Sequence, residues 1–365
     1  MRPALGAIAA LDLDSRLPLP FPRGCDPAGE EALVAAIARQ RITGLAVAAT
    51  TAGLLALSEA GLDSLLERHE TQLALDLCLE RELVQAAATF DRAGITYRAL
   101  KGPLLAHTVY ADPSSRSFGD VDLLVASDSF DAAIAALQPL GFERRFLEPR
   151  RGFDARFSKG ACLERGDGVE IDLHRTLAPG AFGVMFERAG LFTRAPQWIA
   201  LGGRPVAALD RELAFVHACF HAALGDHPPR LVPLRDIVEL YRAGFDTEAV
   251  IGLVGGTECE VVVQRAVGLV DRVIGVRLEG HLPEWARAYR PSRFDRWALR
   301  GYADDRRSYA GQVAASMWAM RSARERATYA LALAFPARDY VRAREHDYAK
   351  RLTRGVRLVQ DWRPR

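Results

Sequence analysis

The hydrophobic period of the sequence changes at Gly94, and this change constrains the fold more than any other feature. From Glu30 to Ala93, apolar residues recur at three- to four-residue spacing, which is typical of amphipathic helices. After Gly94, short β-branched or alternating runs indicate strands at "ITYRAL" (95–100), "DVDLLV" (120–125) and "VEIDLHRTL" (169–177). Long helices followed at once by short strands predict an α+β fold.

Helical patterns separate these strands. "PLLAHTVY" follows the first strand, and "SDSFDAAIAALQPLGF" (127–142) starts with a serine/aspartate cap and is amphipathic. Beyond Pro179 the pattern becomes helical again, as in "DRELAFVHACFHAALG". We therefore predict a small mixed-sheet core flanked by helical regions. The expected divisions are an N-terminal helical region at 1–93, an α/β core at 94–205 and a C-terminal helical domain at 206–365.

Composition excludes several classes of protein. The 365 residues carry a formal net charge of +2, so bulk charge indicates no nucleic-acid partner, although a local basic patch would suffice for one. Five cysteines lie far apart with no C-x-x-C pair, which favours a reduced, cytoplasmic protein. The sequence has no uninterrupted apolar stretch of about twenty residues, so we expect no membrane span.

Two aspartates open the second predicted strand. Asp120 and Asp122 are two residues apart, and residues at that spacing project from the same face of a strand. Carboxylates that close repel each other, so they need a cation between them or open water around them. The pair alone does not decide between a metal site and a solvated turn.

Two further motifs lie in the same predicted unit. Gly102 follows the first strand and precedes a helix, and a strand-to-helix turn can present backbone N–H groups to a phosphate. Asp172 lies on the third strand with Glu170 and His174 at two-residue spacing on the same face. Acids on two neighbouring strands would form a cage for one or two magnesium ions, which suits phosphoryl or nucleotidyl transfer.

Together, "LKG", "RSFGDVDLLV" and "EIDLHRTL" resemble the uncharacterised, type-5 nucleotidyltransferase family of the polymerase-β-like superfamily. The resemblance covers most of the chain from about Gly94 onward. It implies a small mixed-sheet nucleotidyltransferase core with flanking helices. The positions that match the family's pattern are Lys101, Gly102, Tyr110, Arg116, Asp120, Asp122, Asp172 and His174.

The resemblance also implies roles for these residues. Asp120, Asp122 and Asp172 would be the catalytic residues and would hold Mg²⁺ or Mn²⁺ beside a nucleoside triphosphate, ATP being expected. Asp172 would also orient or deprotonate the acceptor hydroxyl. Phosphate contacts are expected from Lys101, Gly102 and Arg116, whereas His174 and Tyr110 would support the site from behind. One departure is Pro103, which has no N–H where the superfamily has glycine or serine.

Several residues keep a structural interpretation beside the functional one. Arg116 could bind phosphate or could bridge the aspartates across a turn, and Lys101 could be solvated at a strand end. His217 and His221, four apart on one helix face, indicate buried histidines near the cleft rather than a metal site. Arg235 and Asp236 are interpreted as a structural charge pair at a helix start.

The expected activity is magnesium-dependent transfer of a nucleoside monophosphate, AMP being expected, from a triphosphate to a hydroxyl of an unidentified small-molecule, peptide or protein acceptor. Pro103 keeps a catalytically silent nucleotide-binding or scaffolding protein as an alternative. A third alternative is a toxin–antitoxin-type modifier of a protein or tRNA.

Overall fold

A computed structural model describes residues 2–13, 27–186, 190–303 and 309–344. Within these ranges the chain forms seventeen α-helices, α1 to α17, and a seven-stranded sheet, β1 to β7. None of the helices in the described ranges combines the length and the apolar character that crossing a bilayer requires. In chain order the α-helices span Arg2–Ala9, Pro27–Arg39, Thr43–Thr51, Glu59–Ala93, Gly102–Thr108, Phe130–Leu137, Asp154–Phe157, Gly180–Phe186, Arg211–Leu224, Leu231–Ala243, Thr247–Val254, Glu260–Leu269, His281–Ala288, Arg293–Ala303, Tyr309–Ala319, Ala323–Ala334 and Arg338–Arg344.

The sheet is mixed, as the sequence predicts. The strands lie in the order β3-β4-β5-β2-β1-β7-β6. The β2–β5 and β1–β7 pairs are parallel, and the remaining neighbours are antiparallel. The α+β prediction is therefore confirmed. In chain order the strands span Tyr97–Ala99, Val121–Val125, Glu143–Arg144, Gly160–Glu164, Glu170–His174, Gln197–Leu201 and Arg204–Ala208.

The sequence-based prediction found three strands, and the structure has seven. β3 and β4 extend the sheet beyond β5, while β6 and β7 form a hairpin that follows Pro179, where the sequence was interpreted as helical. That interpretation is wrong for 197–208. The turn of the hairpin, Gly202-Gly203, has φ of 53° and 76°, values that glycine adopts without a steric cost. The proposed boundaries at 93/94 and 205/206 stay a prediction.

Helix α4 is the main support of the sheet, and it lies within the stretch from Glu30 to Ala93 for which the sequence predicts helices. It begins after Ser58, whose hydroxyl accepts a hydrogen bond from the N–H of Gly61, and it ends at Gly94 in the left-handed conformation, with φ of 67°. Its buried face, including Leu83 and Phe90, shares a hydrophobic core with the apolar side chains of β2 and β5. The helix therefore fixes the sheet from one side over much of its length.

The N-terminal and C-terminal helices share a second core. Side chains of α1, α2 and α3 belong to the same buried apolar cluster as those of α9, α10 and α12. The guanidinium of Arg235 on α10 also donates to the carbonyls of Ala9 and Leu11, at 2.9 and 2.8 Å. The helices before the sheet thus pack against helices that follow it in the chain.

The pairing of β2 with β5 places the predicted site residues. Asp122 lies opposite Asp172 in the parallel register, and Leu124 lies opposite His174. On the other side of β5, Gly160 of β4 lies opposite His174. A Cβ at Gly160 would come 2.1 Å from the carbonyl oxygen of Leu173, so this close approach of two strands depends on glycine.

Gly160→Ala is expected to lower the free energy of unfolding by about 1–3 kcal/mol, because the added methyl group overlaps backbone that cannot move freely. Urea denaturation measures the change. Gly166→Ala is the matched control, since a Cβ there meets no atom within 4 Å. If the two variants were equally stable, the close contact between β4 and β5 would not exist.

Candidate active site

Asp122 is the centre of the charged cluster at the entrance to β2. Its carboxylate accepts from Lys101 Nζ at 2.9 Å on one oxygen and from His174 Nε2 at 2.8 Å on the other, and only 1% of the side chain is exposed. Burial opposes ionisation, but the Lys101 charge and the His174 hydrogen bond outweigh it and hold the pKa of Asp122 well below its usual value. Asp122 is therefore a fixed, ionised carboxylate.

Asp172 and His174 on β5 complete the closest group. One ligand-capable atom from each of Asp122, Asp172 and His174 lies within 4.8 Å of the others. Burial and the neighbouring Asp122 and Asp120 charges raise the pKa of Asp172 to about 6. Burial and the Lys159 charge lower the pKa of His174 to about 4, so its ring is neutral near pH 7. Its Nε2–H donates to Asp122, which leaves the buried Nδ1 as an acceptor without a partner in the described residues.

Asp120 lies just outside this group, one residue before β2. The charge of Asp122 and then burial raise the pKa of Asp120, while Lys101 and Arg41 act in the opposite direction. Its carboxylate is not among the atoms that lie within 4.8 Å of one another, although it contributes to the field at Asp172. The structure thus brings Asp122 and Asp172 together directly and places Asp120 at the edge.

The turn after β1 carries Lys101 to Asp122. Lys101 has φ of 33° and ψ of −136°, an unusual conformation for a residue with a Cβ, and Gly102 follows with φ of 46°. The N–H of Leu100 donates to the carbonyl of Asp122 at 3.0 Å, which ties the turn to β2. Pro103 is buried in the first turn of α5. This turn therefore delivers an ammonium group to the site, and its backbone lacks the N–H at Pro103.

Arg116 and Tyr110 both bind Asp236 on α10. The Arg116 Nε and Nη2 donate to the two Asp236 oxygens at 3.1 and 2.8 Å, and Tyr110 Oη donates to Oδ1 at 2.8 Å. Both charged side chains are at most 3% exposed. Burial disfavours the charge of Arg116, but Asp236 outweighs it and raises the pKa of Arg116. Of the two open interpretations, this geometry is that of a structural partner, but the partner is Asp236 and not the site aspartates.

Residues 26–275 match the model of a protein family described as uncharacterised nucleotidyltransferase. The chain belongs to this family. A search of curated proteins finds no match.

Two solved structures are similar to parts of the chain. One is the solution structure of the antibiotic-resistance factor ANT(2'')-Ia, which is 17% identical with a TM-score of 0.33 and covers 47% of this chain and 87% of its own. The other is an antigenic nucleotidyltransferase-like protein from Paracoccidioides brasiliensis, which is 14% identical with a TM-score of 0.35 and covers 56% of this chain and 94% of its own.

Lys159 is a charged neighbour of the acidic cluster that sequence reasoning missed. It directly precedes β4, and its charge acts on Asp122, Asp172 and Asp120, while burial and then the Lys101 charge lower its pKa. A signal was present in the sequence, because the chain has only three lysines, Lys101, Lys159 and Lys350. Two of these three are at the acidic cluster.

The two histidines on α9 lie behind the cluster. His217 is buried, and its ring centroid is 6.4 Å from those of His174 and His221. Burial and then neighbouring positive charges hold the pKa of His217 and of His221 well below the usual value. Both rings are therefore neutral, which agrees with their interpretation as histidines packed near the cleft. Neither belongs to the group of ligand-capable atoms found among the described residues.

The donor set at Asp122 and Asp172 suits a hard divalent cation. The carboxylate oxygens are the ligand type that Mg²⁺ prefers, and the mutual repulsion that raises the pKa of Asp120 and Asp172 would be relieved by added positive charge. Lys101 already offsets one negative charge at Asp122. The residues thus fit a metal ion that would bind in addition to the existing contacts of Asp122 with Lys101 and His174.

Arg116→Met is expected to lower the free energy of unfolding by about 3–5 kcal/mol, because it leaves the Asp236 carboxylate buried without its partner. Urea denaturation tests this, with the exposed Arg39→Met as the matched control. The double variant Arg116→Met with Asp236→Leu should recover much of the loss, because no unpaired charge remains. A loss below about 1 kcal/mol in Arg116→Met would contradict the structural role.

Asp172→Asn is expected to be more stable than the parent at pH 8 in the presence of a chelator, by up to about 3 kcal/mol. The folded-state pKa of about 6 exceeds the usual 3.8, so ionisation of Asp172 costs the folded state stability as the pH rises through this window. The gain should therefore shrink towards zero near pH 4. Urea denaturation at several pH values measures it, with Asp91→Asn, an exposed residue at the end of α4, as the control. A gain that is independent of pH would contradict this assignment.

Proposed function

We propose that this protein transfers a nucleoside monophosphate from a nucleoside triphosphate to a hydroxyl of an acceptor, with Mg²⁺ as the cofactor and ATP as the preferred donor. The observation that carries the proposal is the side-by-side placement of Asp122 and Asp172 on the parallel strands β2 and β5, with Asp120 at the entrance. Membership of the nucleotidyltransferase family supports the reaction class. The same observations support a site in which two metal ions share these carboxylates.

The metal would be held by Asp120, Asp122 and Asp172, where it offsets the negative charge of the triphosphate. Asp122 is kept ionised by the contacts with Lys101 and His174, so its oxygens remain available as ligands. His174 orients this carboxylate through its Nε2–H.

Asp172 is suited to accept the proton of the acceptor hydroxyl. Its carboxylate belongs to the same close group as the Asp122 carboxylate and the His174 ring, so it lies near enough to the expected metal to orient or deprotonate that hydroxyl. The acceptor oxygen then forms a bond to the α-phosphorus, the bond from that phosphorus to the bridging oxygen breaks, and pyrophosphate leaves. Lys159, whose charge acts on Asp172, adds positive charge on the β4–β5 side of the site.

The other predicted residues support this arrangement. Lys101 and Gly102 form the turn beside the expected phosphates, and Arg116 and Tyr110 hold the loop before Asp120 through Asp236. The acceptor is a small molecule, a peptide or a protein. The formal charge of +2 provides no bulk attraction for nucleic acid. A cytoplasmic setting, which supplies ATP and magnesium, suits the reaction.

A catalytically silent nucleotide-binding protein is the second candidate, and one contact favours it. Lys101 Nζ lies 2.9 Å from Asp122, so an ammonium already sits beside the central carboxylate, and Pro103 removes one backbone donor from the turn. Calorimetry with a triphosphate and Mg²⁺ separates the two candidates. Binding without turnover across a broad screen of acceptors would favour the silent protein.

Asp120→Asn and Asp172→Asn are expected to lower transfer of label from α-³²P-ATP by about a hundredfold or more, because each removes charge that stabilises the metal and the transition state. The assay contains the purified full chain, Mg²⁺ and cell extract as the source of acceptor, and other triphosphates are tested in parallel. Asp91→Asn is the matched control and should transfer label as the parent does. Transfer that is unchanged in Asp120→Asn would refute the proposal.

A further inference from the structure

Arg41, in the short connection between α2 and α3, reaches the loop that carries Asp120. Its guanidinium lies directly on Gly119, where a Cβ would come 2.2 Å from Nη2 and 2.5 Å from Nη1. Arg41 itself has φ of 57°, the left-handed region that a residue with a Cβ rarely adopts. The left-handed backbone at Arg41 and the absence of a Cβ at Gly119 thus together place one guanidinium beside Asp120.

The connection that carries Arg41 is held on three sides. Gln40 Oε1 accepts from the N–H of Leu231 at 3.2 Å, which ties the connection to α10. The Thr43 hydroxyl is 3.3 Å from His69 Nδ1 on α4. Gly44 packs so closely on the turn at 113–115 that a Cβ would lie 2.2 Å from the carbonyl oxygen of Ser114. The backbone at Arg41 is therefore fixed relative to the loop that precedes Asp120.

The guanidinium of Arg41 is not engaged with another side chain in the described residues. Within the described parts of the chain, Arg41 forms no ion pair and no side-chain hydrogen bond. This contrasts with Arg116 and Arg235, whose guanidiniums are both used in buried contacts. Arg41 is half-buried, so it is partly withdrawn from water while its five N–H donors stay available.

Two basic groups thus flank the acidic cluster on different elements. Lys159 directly precedes β4, and its charge acts on Asp122 and Asp172, on the side of the site where the acceptor hydroxyl is expected. Arg41 belongs to the entrance of β2, next to Gly119 and Asp120. In the proposed reaction, the donor phosphates that lie away from the acceptor are the β- and γ-phosphates. A guanidinium matches the geometry of phosphate oxygens through paired N–H donors.

We propose that Arg41 binds the β- and γ-phosphates of the donor triphosphate, so that the N-terminal helices supply a substrate-binding residue to the nucleotidyltransferase core. This inference rests on the proposed function and assigns a task to the N-terminal region. Because the contact is made to the phosphates that leave as pyrophosphate, it favours triphosphates over monophosphates whatever the base.

Calorimetry on the full chain with Mg²⁺ tests the proposal, with α,β-methylene-ATP, inorganic tripolyphosphate and AMP as probes. Arg41→Ala should weaken binding of the first two probes by between about ten- and a hundredfold, the value expected for a charge-assisted hydrogen-bonded pair, and should leave AMP binding unchanged. Arg41→Lys should lie between the parent and Arg41→Ala, because an ammonium keeps the charge and loses the paired donors. The exposed Arg39→Ala is the matched control and should bind all three probes as the parent does.

Gly119→Ala provides a second test that keeps the arginine. The new methyl group would displace the flexible end of Arg41 rather than any backbone, so the variant should fold. It should weaken tripolyphosphate binding in the same direction as Arg41→Ala. Adding Gly119→Ala to Arg41→Ala should cause little further loss, because both changes remove the same contact.

The outcomes separate this inference from the proposed function. Equal binding of α,β-methylene-ATP and tripolyphosphate by the parent and Arg41→Ala would overturn the role of Arg41 and leave the proposed function intact. Loss of AMP binding together with a lowered unfolding midpoint in Arg41→Ala would assign Arg41 a structural role and would also overturn the inference. Failure of the parent to bind any triphosphate probe would instead refute the proposed function.

Discussion

The pairing of β2 with β5 brings two carboxylates together, and the arrangement of the rest of the site depends on compensating their repulsion. The parallel register sets Asp122 opposite Asp172, with Asp122 buried and Asp172 half-buried. Two acids this close and partly withdrawn from water cannot both ionise without compensation. The chain provides this compensation unequally: Lys101 and His174 both contact Asp122, whereas Asp172 forms no ion pair among the described residues. One acid is therefore fixed as a carboxylate, and the other keeps a pKa of about 6.

The helices take part in the site because they position the loop that precedes Asp120. The loop between α5 and β2 contains no regular structure except the short turn at 113–115, so its position depends on contacts from elsewhere. Asp236 of α10 holds it through Arg116 and Tyr110, and Asp76 of α4 accepts from the N–H of Phe118 at 3.0 Å. Elements before and after the sheet thus fix the position of Asp120. A change in helix packing would be transmitted to Asp120 and to the acidic side chains beside it.

The parts of this arrangement that could be predicted from sequence are local. The extent of α4 follows from its periodicity and from Gly94, and the alternation around Asp122 and Asp172 predicts their strands and their shared face. The β6–β7 hairpin had a local signal in Gly202-Gly203, but β7 contains Pro205 and two alanines, residues that are depleted in strands. By contrast, the Arg116–Asp236 pair joins residues 120 positions apart, and the approach of Arg41 depends on the missing side chain at Gly119. Such contacts depend on tertiary packing, which periodicity does not encode.

Arginine and lysine make different kinds of contact with the two buried carboxylates at Asp236 and Asp122. Arginine is the common basic residue of this chain, and at Asp236 its planar fork occupies both carboxylate oxygens at once. At Asp122 the chain instead uses lysine, whose compact ammonium contacts one oxygen, while the neutral ring of His174 contacts the other. The scarcity of lysine elsewhere makes its position informative: at Asp236 one arginine engages both oxygens of a buried carboxylate, whereas at Asp122 lysine engages a single oxygen and shares the carboxylate with a neutral histidine.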